Sequence, residues 1–337
     1  MFSVYKVVRA GNWFVWKLPP LLAVGYALCL VGHIDPARAL RVLPLLLLCV
    51  CSVAAFGYIV NDVFDISCDL AAGKENAMTH VSHWQRSMYV GITLAAGATS
   101  LAFLPRSRVA VILLGMNYVL PLIYSAPPIR LKERGILGVL ADSLAAHVFP
   151  TLFFCAVLIP MGNARESASV GVAACAAIWA FGLGLRGILI HQLRDRRHDR
   201  ATDVRTFVTN RPPETIRFLI LRVTLPVEMI ALAGFLLLVA PESRLLALVL
   251  VLYLISETVK VGSGTRVAFI YPEKPGFERY VPLVNNNFYE LWLPFTLAVQ
   301  LSLKSPKFIW IGIVHLFLFG PMLIRRRLEW HRQEKMT

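Results

Sequence analysis

Apolar residues run along this chain in long blocks separated by short polar pieces. Blocks close to the roughly 17–25 residues that cross a bilayer lie at 18–34, 41–61, 88–104, 108–124, 136–160, 169–192, 216–240 and 244–260. Two shorter ones follow at 288–303 and 307–324. Several contain Pro or Gly, which membrane helices tolerate. The pattern predicts an all-α chain, a polytopic membrane helical bundle of nine or ten transmembrane helices. The lower count applies if 288–303 is re-entrant or interfacial. The whole of 1–337 reads as a single membrane-embedded domain. Residues 1–17, with Trp13 and Trp16, read as an interfacial N-terminal segment. Residues 261–287 read as a cytoplasmic loop or cap.

Composition agrees with that pattern. Hydrophobic residues make up 57% of the 337 and charged residues 16%, where a soluble domain is nearer half and about a quarter. This excludes an ordinary soluble enzyme, a disordered chain and a secreted disulfide scaffold. The formal net charge of +14 sits mostly between the apolar blocks, so anionic lipid and phosphorylated ligands are the expected partners rather than nucleic acid. With a cytoplasmic N-terminus and ten crossings, 24 basic residues fall inside and 8 outside, as the positive-inside rule asks. Of six cysteines, only Cys68 lies outside the apolar runs and no pair has CxxC spacing, so buried thiols are expected.

Two acidic clusters stand out. Asn61, Asp62, Asp65 and Asp69 follow the second apolar block, and their i,i+3 and i,i+4 spacing puts them on one helix face. His191, Gln192, Arg194, Asp195, Asp199 and Asp203 follow the sixth block, with the three aspartates four apart. Both follow even-numbered spans, so the topology puts them on one side of the membrane. Taken singly, the second cluster is as readily a solvated helix end with i,i+4 ion pairs. Facing rows of carboxylates suit hard divalent cations, and Mg²⁺ ions held there would neutralise a departing diphosphate. Asp62, Asp65, Asp69, Asp195, Asp199 and Asp203 are the candidate metal ligands.

A third element, Tyr124-Ser125-Ala126-Pro127-Pro128-Ile129-Arg130-Leu131-Lys132-Glu133-Arg134, ends the fourth span on the same side. The prolines break the helix. Arg130 and Arg134 can fork onto diphosphate oxygens and Lys132 can meet them as a point charge. As a lone feature this is also an ordinary positive-inside loop. Asp142, His147, Arg186, Arg222, Glu228, Glu257 and Lys260 place charge in or at the ends of spans, where such residues are functional suspects or interhelical pairs. His147 and His191 are candidate proton acceptors.

The motifs Asn-Asp-x-x-Asp-x-x-x-Asp at 61–69, Tyr-Ser-x-Pro-Pro-x-Arg-x-Lys at 124–132 and Asp-x-x-x-Asp at 195–199 occur in that order. Together they resemble the UbiA superfamily of intramembrane prenyltransferases, over about residues 1–210. The resemblance implies helices around a central active-site cavity. It implies Mg²⁺ on Asp62, Asp65, Asp69, Asp195 and Asp199, with Asn61 positioning metal and diphosphate. Lys132 would bind the diphosphate, and Tyr124 would lie near the reacting carbon. The chain also departs from the family pattern. Ala71–Met78 lacks the Arg-Pro pair common there, and Lys74 stands as its substitute. His191 and Gln192 replace a frequent Asn, and Asp203 a frequent Gly. Prenyl transfer to an aromatic acceptor is the expected reaction. The alternatives are a terpene cyclase of the same superfamily and a phosphoribosyltransferase acting on a polyprenyl phosphate. A transporter, a different class, would leave the paired motifs unexplained.

Overall fold

The computed structural model describes residues 4–71, 73–163, 166–201, 204–262 and 284–334. Residues 263–283, most of the expected cap, and Asp203 lie outside the described residues. Every apolar block of the sequence becomes helical. After a short turn of helix at Val4–Val7, the helices are α1 (Phe14–Val31), α2 (Pro36–Ala71), α3 (His83–Ala102), α4 (Arg108–Ser125) and α5 (Ile136–Met161). They continue as α6 (Glu166–Ala201), α7 (Pro213–Glu242), α8 (Arg244–Gly262), α9 (284–304) and α10 (Ile309–Glu334). Six of them, α1, α2 and α4–α7, are long and apolar enough to cross a membrane. The described residues contain no strand beyond an isolated parallel bridge between Gly135 and Thr206.

Local chemistry sets the helix starts. Ser82 caps α3 in a reciprocal box with Gln85, whose N–H it accepts at 3.3 Å while Gln85 Oε1 accepts the Ser82 N–H at 3.0 Å. Ser107 caps α4 by accepting the Ala110 N–H at 3.2 Å. α5, α7 and α9 each contain one π turn, at Leu144–Val148, Ile220–Thr224 and Phe288–Trp292. Such bulges are frequent at functional sites.

The chain forms two compact units. The first contains α3, α4, α5 and the larger parts of α2, α6 and α7. Within it α6 and α7 meet closely at Gly182, where a Cβ would stand 2.9 Å from that of Glu228. One turn on, Arg186 and Glu228 form a fully buried two-pronged ion pair at 2.7 and 2.9 Å. The second unit contains α1, α8, α9 and α10. There Tyr26 and His315 share a buried hydrogen bond of 3.2 Å, and Glu242 is paired with Lys304. Many helix faces carry large apolar side chains in the open, such as Ile112, Ile230, Leu237 and Phe317, as lipid-facing surfaces do.

Candidate active site

Helix length positions the acidic motifs. At 36 residues each, α2 and α6 extend about 54 Å at 1.5 Å per residue. The hydrocarbon core is about 30 Å thick, so each helix has several turns to spare. Asn61–Asp69 occupies the last turns of α2, and Asp195 and Asp199 those of α6. The carboxylates therefore stand at the helix ends, beyond the length that a bilayer core needs. Both helix ends belong to the first unit.

The loop between α4 and α5 brings the cations. After α4 ends at Ser125, a cis Pro127–Pro128 bond and Arg130 in the left-handed region (φ 41°) turn the chain back. A single 3₁₀ turn, Leu131–Glu133, follows. Lys132 Nζ sits on the Asp65 carboxylate and donates to Asn61 Oδ1 at 3.3 Å. Arg130 Nη2 donates to Asp65 Oδ1 at 3.0 Å, and its Nε to Glu133. Ser125 Oγ donates to Asn61 Oδ1 at 3.2 Å. Gly138 permits this arrangement, since a Cβ there would lie 2.7 Å from the Leu131 carbonyl oxygen and 3.0 Å from Lys132 Cα. Burial draws the Lys132 ammonium below the ordinary lysine range, against the opposing pull of Asp65.

Asp62 is completely enclosed, and neither carboxylate oxygen has a hydrogen-bond partner. Its ion-pair partner is Arg9, with Nη2 2.9 Å from Oδ1. Arg9 also has a left-handed backbone (φ 46°), and the Trp13 indole steadies the segment by donating to the Val8 carbonyl at 2.8 Å. Val7, Ile59, Met78 and Val81 form a buried apolar cluster. That cluster holds both the N-terminal segment and the loop after α2 against the helix. In the same loop Asn76 Nδ2 donates to Asp69 Oδ2 at 2.7 Å and to the Asp62 carbonyl at 2.9 Å. The Asn76 amide is fixed in turn by accepting the Met78 N–H at 2.8 Å.

The second motif is more open. Asp199 is buried, whereas Asp195 is half-buried and lies 3.7 Å from the exposed His191. Gln192 is buried, and its side-chain oxygen has no hydrogen-bond partner. Asp199, Arg200, Val204, Arg205, Thr209 and Asn210 line a polar recess of about 340 Å³. Two hydrogen bonds tie the α6 end to this loop, Arg200 donating to the Thr209 carbonyl at 2.9 Å and Arg196 to that of Arg211 at 2.9 Å. The Gly135–Thr206 bridge ties this loop to the one carrying Lys132. Tyr124 lies within electrostatic reach of Asp142, Asp65, Asp199 and Tyr58, so one tyrosine stands near a member of each motif.

The fold thus gathers Asn61, Asp65, Arg130 and Lys132 into direct contact, with Asp62 and Asp69 alongside. Lys74, His191 and Arg194 stand exposed. Arg134 spends its guanidinium on the Ile129 and Pro128 carbonyls of its own turn. Among the described residues no three His, Cys, Asp or Glu side chains close into a ready metal cage. Basic groups are drawn onto the carboxylates instead. Sequence reasoning gave Arg9 only as part of a family-like helix start and gave no role to Asn76 or Ser125. Their signals, a lone Arg in an interfacial segment, an Asn in a loop and a Ser at a helix end, are too common to select them.

The model of the UbiA prenyltransferase family matches residues 18–265. The chain belongs to this family. The match takes in both carboxylate motifs and the Lys132 loop and stops before α9. Among solved structures, a UbiA homologue from Archaeoglobus fulgidus bound to DMAPP and Mg²⁺ is 16% identical, with a TM-score of 0.60 over 89% of this chain and 98% of that one. The same homologue bound to GPP and Mg²⁺ gives 17% and 0.58, over 89% and 99%. The UbiA fold is therefore shared along nearly the whole chain. A lycopene elongase/hydratase of Haloarcula japonica is 26% identical over 207 residues. That alignment spans 60% of this chain and 65% of the relative's length. With its apolar helices, this UbiA-family chain is an integral, multi-pass membrane protein.

Proposed function

We infer that this chain transfers a prenyl group from a prenyl diphosphate to a lipid-soluble acceptor. The observation that carries the reading is the convergence of Lys132 and Arg130 on Asp65, beside the enclosed Asp62 with its Arg9 ion pair. Asp62, Asp65, Asp69, Asp195 and Asp199 are the groups that would hold Mg²⁺, and the ligands of the Archaeoglobus fulgidus homologue are in keeping with that. A buried carboxylate that is ion-paired but lacks hydrogen bonds fits such a role, because a bound ion would add the ligation its oxygens still have room for. When bound, Mg²⁺ neutralises charge on the diphosphate.

The chain's own residues do the rest. Lys132 and Arg130 can leave Asp65 for diphosphate oxygens and so favour the group as it departs. The bond from the allylic carbon to oxygen breaks, and its electron pair leaves with the diphosphate. The acceptor then attacks that carbon and loses a proton. Tyr124 offers its ring to the developing cation, and Asn61 orients Lys132. Arg9 and Asn76 act through Asp62 and Asp69 and are positioning residues.

An aromatic acceptor remains the first expectation. The match to a lycopene elongase/hydratase favours a polyene as the second. The test uses purified protein in nanodiscs with prenyl diphosphates of increasing length, with and without Mg²⁺ and either acceptor. Diphosphate release that requires Mg²⁺, together with a prenylated product, is expected. A cyclised hydrocarbon formed without acceptor would replace this reading by a terpene cyclase. Release of diphosphate only from a phosphoribosyl donor would replace it by a phosphoribosyltransferase.

A further inference from the structure

The second unit contains a polar cluster that the transfer reaction does not use. It lies where α8 ends and α9 begins. Glu257 on α8 is buried, and its Oε1 accepts from Lys260 Nζ at 2.6 Å and from Asn287 Nδ2 at 3.2 Å. Its other oxygen, Oε2, is buried and has no hydrogen-bond partner. The neighbouring walls are aromatic. The Tyr253 ring lies 5.1 Å from that of Phe288 and 5.7 Å from that of Trp292, and Trp292 is only half-buried. Phe288 and Trp292 are the first and last residues of the π turn of α9. The family model matches as far as residue 265, so the α9 half of the cluster lies beyond the matched residues.

A carboxylate oxygen buried without a partner is costly, because its hydration is lost and nothing replaces it. Its charge is already offset by Lys260, so what it lacks is a neutral hydrogen-bond donor rather than a second cation. Trp292 is the ring of the three that keeps open surface for an apolar body to pack against. We propose that Glu257, with Tyr253, Phe288 and Trp292, forms a binding site for an apolar alcohol, whose hydroxyl donates to Glu257 Oε2. The site is independent of the prenyl-transfer reading, and its test reads binding rather than turnover.

The probe is 1-decanol carrying a photoreactive diazirine beside the hydroxyl, with its methyl ether as the matched control. Full-length protein in nanodiscs is irradiated with each, and the crosslinks are mapped by peptide mass spectrometry. The alcohol should label residues 253–260 and 285–292, and unlabelled 1-decanol should compete. The ether, which cannot donate, should label them at least about tenfold less. Glu257→Leu that still elutes as a monodisperse protein should lose the labelling. Equal labelling by alcohol and ether in the unmodified chain would overturn the proposal, whatever the variant does. So would labelling confined to other residues, which would leave Oε2 to a water molecule, or undiminished labelling of a folded Glu257→Leu.

Discussion

At the scale of single residues, Asp62 and Lys132 separate two roles that share one site. Asp62 is enclosed and unsatisfied by hydrogen bonds, so Asp62→Asn keeps the volume and removes the charge. Turnover should fall at least about 100-fold, as when a group that meets transition-state charge is lost. Helical circular dichroism and the gel-filtration profile should not change. A variant with near-normal turnover would take Asp62 out of the ligand set. Lys132 reaches both Asp65 and Asn61 and is a point charge on a flexible stem. Lys132→Met should raise KM for the prenyl diphosphate about tenfold or more and lower kcat as well, while Lys132→Arg should recover part of each. If KM and kcat are both unmoved in Lys132→Met, the lysine serves only to hold α2 against the loop. Asn76→Ala tests positioning. Asp69 would keep its charge but lose its 2.7 Å partner, so the Mg²⁺ concentration for half-maximal rate should rise about 10-fold or more, as outer-shell losses do. An unchanged Mg²⁺ dependence would reduce Asn76 to a loop brace.

At the scale of elements, one glycine sets the spacing that the site needs. Gly138→Ala would drive a Cβ into the Leu131 carbonyl and Lys132 Cα. The loop must shift, and misplacement by about 1 Å can cost about 100-fold in rate. The expected result is a folded protein with impaired turnover; a fully active one would show that the loop moves freely. The Arg186–Glu228 pair joins α6 to α7 out of contact with water. Removing one member, as in Glu228→Leu, should cost about 3–5 kcal/mol by leaving a buried charge. The double change Arg186→Met with Glu228→Leu should restore much of it, which a thermal-unfolding series of the four proteins would read. Elements were largely legible in the sequence because apolar length and helix formation are the same physics in a membrane. The clusters at 61–69 and 195–199 were legible because their spacing is helical. Three things were not. The ion pair of Arg9 with Asp62 joins residues far apart in the chain, and nothing local encodes it. The grip of Asn76 on Asp69 depends on how one loop folds back. His191 adjoins the second motif in sequence, yet helix rotation leaves it exposed.

At the scale of the whole molecule, orientation is the property that the sequence argues and that labelling can read. The excess of basic residues on one set of loops predicts that the motif-bearing ends of α2 and α6 face the cytoplasm. Cys68 is well placed to test this. It is the exposed one of six free cysteines, the others being buried or half-buried, and it lies 3.7 Å from Arg130 Nη2 at the edge of the site. A membrane-impermeant maleimide should therefore label Cys68 in inside-out vesicles and spare it in right-side-out ones, with Cys68→Ser as the blank. The same cysteine reports on occupancy, because a ligand that recruits Arg130 and Lys132 from Asp65 must reorganise its surroundings. A prenyl diphosphate with Mg²⁺ should slow labelling severalfold, and chelation of the metal should restore the rate. Labelling from the opposite side would invert the topology of every loop at once, since the helices alternate. It would leave the geometry of the carboxylates intact but move the supply of diphosphate donor to the other compartment.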